Sequence, residues 1–297
     1  MSVSVIIPTY NRLISLKEAM KSVINQSMPP KELIIVDDHS SEEIKDEVLA
    51  FSTNKTTVIY EKNEQPQGAC ISRNKGIKLA TGNIIMFLDD DDTWEVDKIK
   101  VQLDIFNAAE NVGLVYSGRL LVHENDREKV IRKVPAKKRG HVYPEILNAN
   151  FIGTTSSVAV RKSILIKVGY FDPGLPALQD YDLWIRCSKV TQVVPDEKFN
   201  VRYTLAVNIS SQISGKSEHH MKAVTYILDK YKTDINEQGK LKARKIIAGK
   251  YFSVAKATYK QNYKASIPWT IRCITTYPSP RFFSLLFPHF IMKKRLS

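Results

Sequence analysis

The chain has 297 residues, 43% hydrophobic and 25% charged, an ordinary balance for a soluble globular protein with a sizeable core. No apolar run reaches the ~18 residues needed to span a bilayer, and Cys70, Cys187 and Cys273 are too few and too scattered for a disulfide frame or a zinc site, so reduced thiols in a cytosolic protein are expected. The formal charge of +13 is unevenly spread: residues 1–215 hold 27 basic and 27 acidic side chains, whereas residues 216–297 hold 17 basic and 4 acidic ones.

The N-terminus, MSVSVIIPTYN, lacks a basic flank and meets Pro8 early, unlike a signal peptide. Val3–Thr9 is a short β-branched run and predicts a buried strand. Leu13, Leu16, Met20, Val23 and Ile24 then recur at helical spacing until Pro29 and Pro30. Glu32–Asp38 predicts a second strand that ends in two acids. Ser40 and Glu43 have the spacing of a capping box for the next helix. TTVIYEK predicts a third strand, GACISRNKGIKLA a third helix closed by Gly82, and NIIMFLDD a fourth strand that ends in Asp89, Asp90, Asp91 and Asp92. A helix follows Trp94.

Strand and helix thus alternate four times. That pattern predicts a mostly parallel sheet with helices on both faces. Ligands of such sheets bind outside the carboxyl ends of the strands. Thr9, Tyr10 and Asn11, then Asp37 and Asp38, then Asp89 to Asp92 all fall at those ends and converge on one rim.

Beyond residue 111 the alternation weakens. VGLVYSG and RLLVHEN read as strands of a hairpin, 127–140 as a basic loop, TTSSVAVRKSILIKVGYFD as a strand and a short helix, and LQDYDLWIRCSK as a helix with Trp184 inward. Residues from about 216 onward read as helical and lysine-rich. Residues 1–110 and 111–215 therefore read as two halves of one domain, and 216–297 as a basic extension.

An acidic cluster at a strand end suits a hard divalent cation, Mg²⁺ or Mn²⁺, which accepts one or two carboxylates plus the phosphates of a substrate and offsets the repulsion among neighbouring acids. The other reading is a solvated loop that caps the next helix through its dipole. At least one of the four, Asp92 or Asp89, is expected to serve as a cap or to support a ligand from behind. His219 and His220 are adjacent and point in different directions, so they read as solvated side chains. His39 is expected to shape the turn after the second strand.

VSVIIPTYNR, LIIVDDHS, RNKGIKLATG, FLDDDDTW and GYFDPGLPALQDYDLWIR occur in the order and at the spacings of the GT-A-fold glycosyltransferases of family 2, which the chain resembles from Val3 to Arg186. The resemblance implies a GT-A, Rossmann-like α/β fold and inverting transfer from a nucleotide-diphosphate sugar of the kind used in bacterial polysaccharide synthesis. It implies that Tyr10, beside Thr9, packs on the donor's base, and that Asp38 hydrogen-bonds that base, usually uracil. It implies that Asp89 and Asp90 meet donor and ribose, that Asp91 ligates Mn²⁺ or Mg²⁺, and that Arg73 faces the donor. Asp180 matches the family's catalytic base, whereas Gln179 stands where the family has glutamate. Inversion needs only such a base at the acceptor hydroxyl and stabilisation of the leaving diphosphate. An N-cap of the helix that carries Trp184 is the alternative role of Asp180.

The basic extension implies an anionic surface. WTIRCITTYPSPRFFSLLFPHFIMKKRLS suits the interface of a membrane, interrupted by Pro278, Pro280 and Pro288 so that it does not span. The enzyme is expected on the cytoplasmic face, peripheral to the membrane, with a saccharide or lipid-linked saccharide acceptor. Packing of Phe282, Phe283, Leu285, Leu286 and Phe287 on the catalytic domain is the alternative. No nucleic-acid motif occurs. A nucleotidyltransferase shares the fold and the metal, but TYNR stands where it carries a Gly-rich basic loop. An inactive binding protein of the same fold is the other alternative.

Overall fold

In the computed structural model, which describes residues 1–205 and 217–286, β1 (Val3–Thr9), β2 (Glu32–Asp37), β3 (Thr57–Lys62) and β4 (Ile84–Phe87) alternate with α1 (Leu13–Ile24), α2 (Lys45–Leu49) and α3 (Ala69–Leu79). β1 pairs in parallel with β2 and with β4, and β2 pairs in parallel with β3. Every residue of β1, β2 and β4 is buried. Strands covered on both faces read as unbroken apolar runs, which is why these three show no alternation. Val5 and Ile7 share one core with Leu16, Met20 and Val23 of α1. Ile6 points the other way, to α3, where it meets Gly76.

The chain continues through β5 (Thr93–Trp94), α4 (Lys98–Ala108), β6 (Val112–Tyr116), β7 (Arg119–His123), β8 (Asp126–Val134), β9 (Val158–Arg161), α5 (Lys162–Val168), α6 (Gln179–Val190), β10 (Gln192–Pro195) and β11 (Val201–Leu205). The large sheet has the order β10-β6-β9-β4-β1-β2-β3, and a smaller one the order β5-β11-β7-β8. β9 runs antiparallel to both of its neighbours, β4 and β6. β10 is parallel to β6. A mostly parallel α/β sheet with one reversed strand results.

Three local expectations are corrected. The supposed hairpin does not form: β6 belongs to the large sheet, whereas β7 pairs with β8 and β11 in the small one. The supposed basic loop is largely β8, an edge strand whose exposed charged residues leave no apolar face to betray it. No capping box forms at Ser40, because its hydroxyl accepts the Asn11 N–H and its own N–H donates to Asp37; α2 starts later, at Lys45.

Residues Met1–Tyr143, Phe151–Pro173 and 180–205 form one compact unit; Pro144–Asn150, Gly174–Gln179 and 217–286 form a second. The second holds α7 (Ser217–Lys230), α8 (Lys232–Asn236), α9 (Lys240–Gln261), α10 (Tyr263–Thr276) and α11 (Pro280–Phe283). Phe282 is buried with Ala248 and Cys273, and Leu285 with Ala255 and Tyr259. Arg281 stacks on both Phe252 and Phe282, with centroids 5.4 and 4.9 Å away. Phe282 and Leu285 are thus core residues of this helical unit rather than membrane-facing ones, while Phe283 stays exposed. Phe287, Pro288, Lys293, Lys294 and Arg295 lie outside the described residues. Among the described residues no helix is long and apolar enough to cross a membrane.

The contact between α3 and β1 yields a stability prediction. A Cβ on Gly76 would sit 2.5 Å from Cγ2 of Ile6, so Gly76→Ala overpacks the core and is expected to cost ~1–3 kcal/mol. Urea unfolding with a midpoint equal to that of the wild type would refute the close approach.

Candidate active site

β1 is followed by β2 and β3 on one side and by β4 on the other, so the chain changes direction in the sheet between β1 and β4. A crevice opens at such a point beyond the carboxyl ends of the strands. Asp90 lies across it, accepting a hydrogen bond from Thr9 Oγ1 at 2.9 Å. Asn11, in the left-handed region at φ 53°, draws the loop after β2 toward the end of β1: its Oδ1 accepts from Ser41 N and Oγ. Tyr10 stays half exposed on this rim.

All four consecutive acids are partnered, two of them by the same arginine. Asp89 accepts from Arg73 Nη2 at 2.6 Å and from Thr155 Oγ1 at 2.9 Å. Arg12 Nη1 bridges Asp90 at 3.1 Å and Asp91 at 2.9 Å. Asp92 accepts from Ser156 Oγ at 2.6 Å and from the Thr204 N–H at 2.8 Å. Ser156 in turn accepts the Asp89 N–H and gives its carbonyl to Trp94 Nε1. Asp92 is buried and faces inward, in line with the expected supporting role; Asp91 keeps 28% of its side chain exposed.

Crowding leaves its mark on their acidity. Burial pushes Asp90 up to about 6 against the opposing pull of Arg12. Burial and the neighbouring Asp89 raise Asp91. Burial, then Asp91 and Asp89, hold Asp92 well above the usual carboxylate range. Like charges in low dielectric favour protonation of some members of a set.

Asp38 occupies the end of β2 in a closed arrangement. It is buried, and its carboxylate accepts the main-chain N–H groups of Gln67 and Gly68 and the side chain of Asn63, each at 2.8 Å. It therefore fastens the 63–68 loop to the rim and sets the start of α3. Gly68 begins that helix at φ 86°, a conformation that favours glycine. Arg73, one turn into α3, is buried over the Phe171 ring, and its Nε has no hydrogen-bond partner among the described residues. His39, at φ 71°, rests Nδ1 against the Asn63 carbonyl. His220, in the helical unit, rests Nε2 against Ser253 Oγ.

Asp180 stands in the first turn of α6 rather than at its cap, with Oδ1 accepting the Tyr181 N–H at 2.7 Å. Trp184, one turn on, is buried against Phe171 and donates Nε1 to the Gly153 carbonyl. Burial is the main force that pushes Asp180 up to about 6; Arg73 and Arg119 pull it down and Asp89 pushes it up. A carboxylate poised there is ionised near neutrality yet basic enough to take a proton.

Of the predicted residues, Thr9, Asp90 and Asp91 are joined through Arg12, Arg73 and Asp89 form a second set with Thr155, and Asp180 lies within electrostatic reach of the second. Arg12, Thr155 and Ser156 escaped the sequence reading. Arg12 directly follows the rim residues Tyr10 and Asn11, a signal within sight. Thr155 and Ser156 reach the rim only because β9 is reversed. Among the described residues no three His, Cys, Asp or Glu side chains form a ready cation cage. The oxygen donors and the partly exposed Asp91 fit a hard cation bound by one or two carboxylates with substrate phosphates completing its shell.

The family model described as Glycosyl transferase family 2 matches residues 4–172, more than half of the chain. An "Uncharacterized glycosyltransferase" of Haemophilus influenzae is 29% identical over 230 residues, covering 77% of this chain and 76% of the relative. WfgD of Escherichia coli, a UDP-Glc:alpha-D-GlcNAc-diphosphoundecaprenol beta-1,3-glucosyltransferase, is 29% identical over 187 residues, 63% of this chain and 70% of its own. The amylovoran biosynthesis glycosyltransferase AmsB of Erwinia amylovora is 28% identical over 225 residues, 73% of this chain and 74% of its own. Among solved structures, S. aureus TarS 1–349 in complex with UDP-GlcNAc superposes with a TM-score of 0.68 at 18% identity, over 96% of this chain and 84% of that one. At that identity the likeness is one of fold, the same open α/β architecture. The motifs, the fold and the matched span agree: the chain belongs to glycosyl transferase family 2.

Proposed function

We propose that the chain transfers a sugar from a uridine-diphosphate sugar to a hydroxyl of a lipid-linked saccharide, with inversion, in cell-surface polysaccharide synthesis. The observation that carries this reading is the meeting of Asp180, pushed up to about 6 by burial, with the ion pair of Arg73 and Asp89. The family, the UDP-GlcNAc complex of TarS, the named reaction of WfgD and the place of AmsB in amylovoran biosynthesis support it.

In this reading the donor's base stacks on Tyr10, framed by Asp38 and the loop it fastens. Arg73 and Asp90 face the diphosphate and ribose, and Arg73 Nε has a hydrogen bond still to give. Asp91, with Asp89 beside it, would hold Mn²⁺ or Mg²⁺, which when bound supplies positive charge to the leaving diphosphate. Asp180 takes the proton of the acceptor hydroxyl. That oxygen forms its bond to the anomeric carbon from the face opposite the diphosphate, whose bond to the same carbon breaks with the electron pair. Asp180 then carries the proton away, and no covalent enzyme intermediate arises.

The same reading places 216–297 against an anionic membrane. α9 opens with Lys240, Lys242, Arg244 and Lys245 and has no acid in its first turn. Cations at a helix N-terminus oppose the helix dipole, so their presence there does not serve the helix and suits an external anion.

Three measurements follow. Asp91→Ala should leave the melting temperature intact and lower turnover ~10²-fold or more, the scale of lost charge stabilisation; full activity in excess EDTA would sink the metal assignment. Asp180→Asn should keep UDP affinity and lose ~10²–10⁴-fold in kcat. The wild-type rate should climb as pH rises through about 6, because only the ionised form accepts a proton. A flat profile, or an active Asp180→Asn, moves the base elsewhere. Finally, the protein should sediment with anionic liposomes at low salt and be released at high salt. Changing Lys240, Lys242 and Lys245 to Gln should weaken that binding by ~3 kcal/mol, at about 1 kcal/mol per lysine. Indifference of the full chain to anionic liposomes at low salt would end the membrane reading.

A further inference from the structure

Arg119 opens β7, three residues past the carboxyl end of β6, on the same rim. Its guanidinium packs flat against Gly153: a Cβ there, at φ 96°, would stand 2.0 Å from Nη1 of Arg119. Gly153 is itself held by Trp184, whose Nε1 donates to its carbonyl at 3.0 Å, one turn after Asp180 in α6. The next three residues, Thr154, Thr155 and Ser156, hold Asp89 and Asp92. One short segment therefore backs Arg119, the base helix and the acidic cluster at once. In the small sheet Arg119 pairs with Val201, and Leu121 with Tyr203, so Tyr203 stands diagonally beside Arg119 on the same face.

Three acids of this region are already engaged. Asp92 is taken by Ser156 and Thr204, Asp89 by Arg73 and Thr155, and Asp182 by Arg186. Among the described residues none closes an ion pair on Arg119. Burial pulls this guanidinium below its ordinary value, with Tyr203, Asp180 and Asp92 in electrostatic reach. A largely desolvated arginine without a paired carboxylate is costly to keep, and its planar fork matches the two oxygens of a phosphate.

We propose that Arg119 receives the diphosphate of the acceptor, one sugar ring away from the hydroxyl that Asp180 deprotonates. This deepens the proposed transfer reaction and rests on Asp180 as its base. The donor diphosphate lies, in that reading, on the β1–β4 side, with Arg73 and Asp91. Arg119 follows β6, beyond the reversed β9, with Asp180 in electrostatic reach. A second anion there selects acceptors that carry a diphosphate on the accepting sugar over neutral glycosides.

The test is a binding titration of the full chain with two probes, a sugar α-diphosphate bearing a short alkyl chain and the same sugar as a neutral alkyl glycoside. Both are run with and without saturating UDP and Mn²⁺. The wild type should prefer the diphosphate probe, and Arg119→Gln should cut that preference about tenfold or more, the scale of a lost charge-assisted hydrogen bond. Arg119→Lys, which keeps the charge without the fork, should lose less; it replaces the Gln variant if the latter melts early. UDP affinity of the same variants separates the two sources of diphosphate. If it falls as far as that of the probe, Arg119 serves the donor and the proposal is overturned. It is overturned equally if the wild type shows no preference or the variant keeps it. Because the titration reads binding alone, absence of turnover with every donor would end the transfer reading without touching this result.

Discussion

Four carboxylates in a row must leave a strand that is buried on both faces, and the site is organised by how their charge is met. Uncompensated, they would repel one another in a region of low dielectric. The backbone sends them in different directions, and their charge is met by groups from several elements: Arg73 from α3 for Asp89, Thr9 from the end of β1 for Asp90, Arg12 for both Asp90 and Asp91, Ser156 and the Thr204 main chain for Asp92. The partners come from widely separated stretches of chain. Neutralising the cluster therefore also registers β1, α3, the segment before β9 and β11 against one another. Stability and the geometry of the rim share one cause.

That cause was partly legible in the amino-acid sequence. Buried parallel strands announce themselves as apolar runs, and their carboxyl ends are where the chain turns polar, so the first four strands and Thr9, Tyr10, Asp38 and Asp89 to Asp92 fell on one rim before any coordinates. What stayed hidden depends on pairing rather than on pattern. β8 is an exposed edge strand of mixed charge, and nothing in its composition separates it from a loop. β6 and β7 look like a hairpin because they are close in sequence, whereas Gly118 lies between two carbonyl oxygens and the chain passes there from one sheet into the other. Asp38 was legible as a rim acid but not as the fastener of the 63–68 loop, since its partners at Asn63, Gln67 and Gly68 lie about thirty positions on.

The helical unit follows a different logic. Its core gathers Ala248, Cys273 and Phe282, then Ala255, Tyr259 and Leu285, and exposed cations lie over the flanking rings: Arg281 over Phe252 and Phe282, Arg272 over Trp269 and Lys256 over Phe252. Cations over rings let one set of residues cover apolar surface while keeping charge outward. A segment can thus be strongly basic and still have an interior, which is why the charge excess of the extension did not by itself reveal where Phe282 and Leu285 would go.

The reversed strand β9 has a consequence for how such a chain can change over time. It lies between β4, which ends in the acidic cluster, and β6, which leads to Arg119. Because it runs against both, its leading end delivers residues 153–157 to the rim, while β7 and β8 pair outside the large sheet and Gly140 rejoins it at Val193 of β10. Lengthening or rewriting the stretch from β7 through β8 leaves the hydrogen-bond ladders of β1, β2 and β4 undisturbed. One half of the catalytic crevice is free to diversify in shape and taste for its partner while the other half stays fixed, and a single strand direction separates the two.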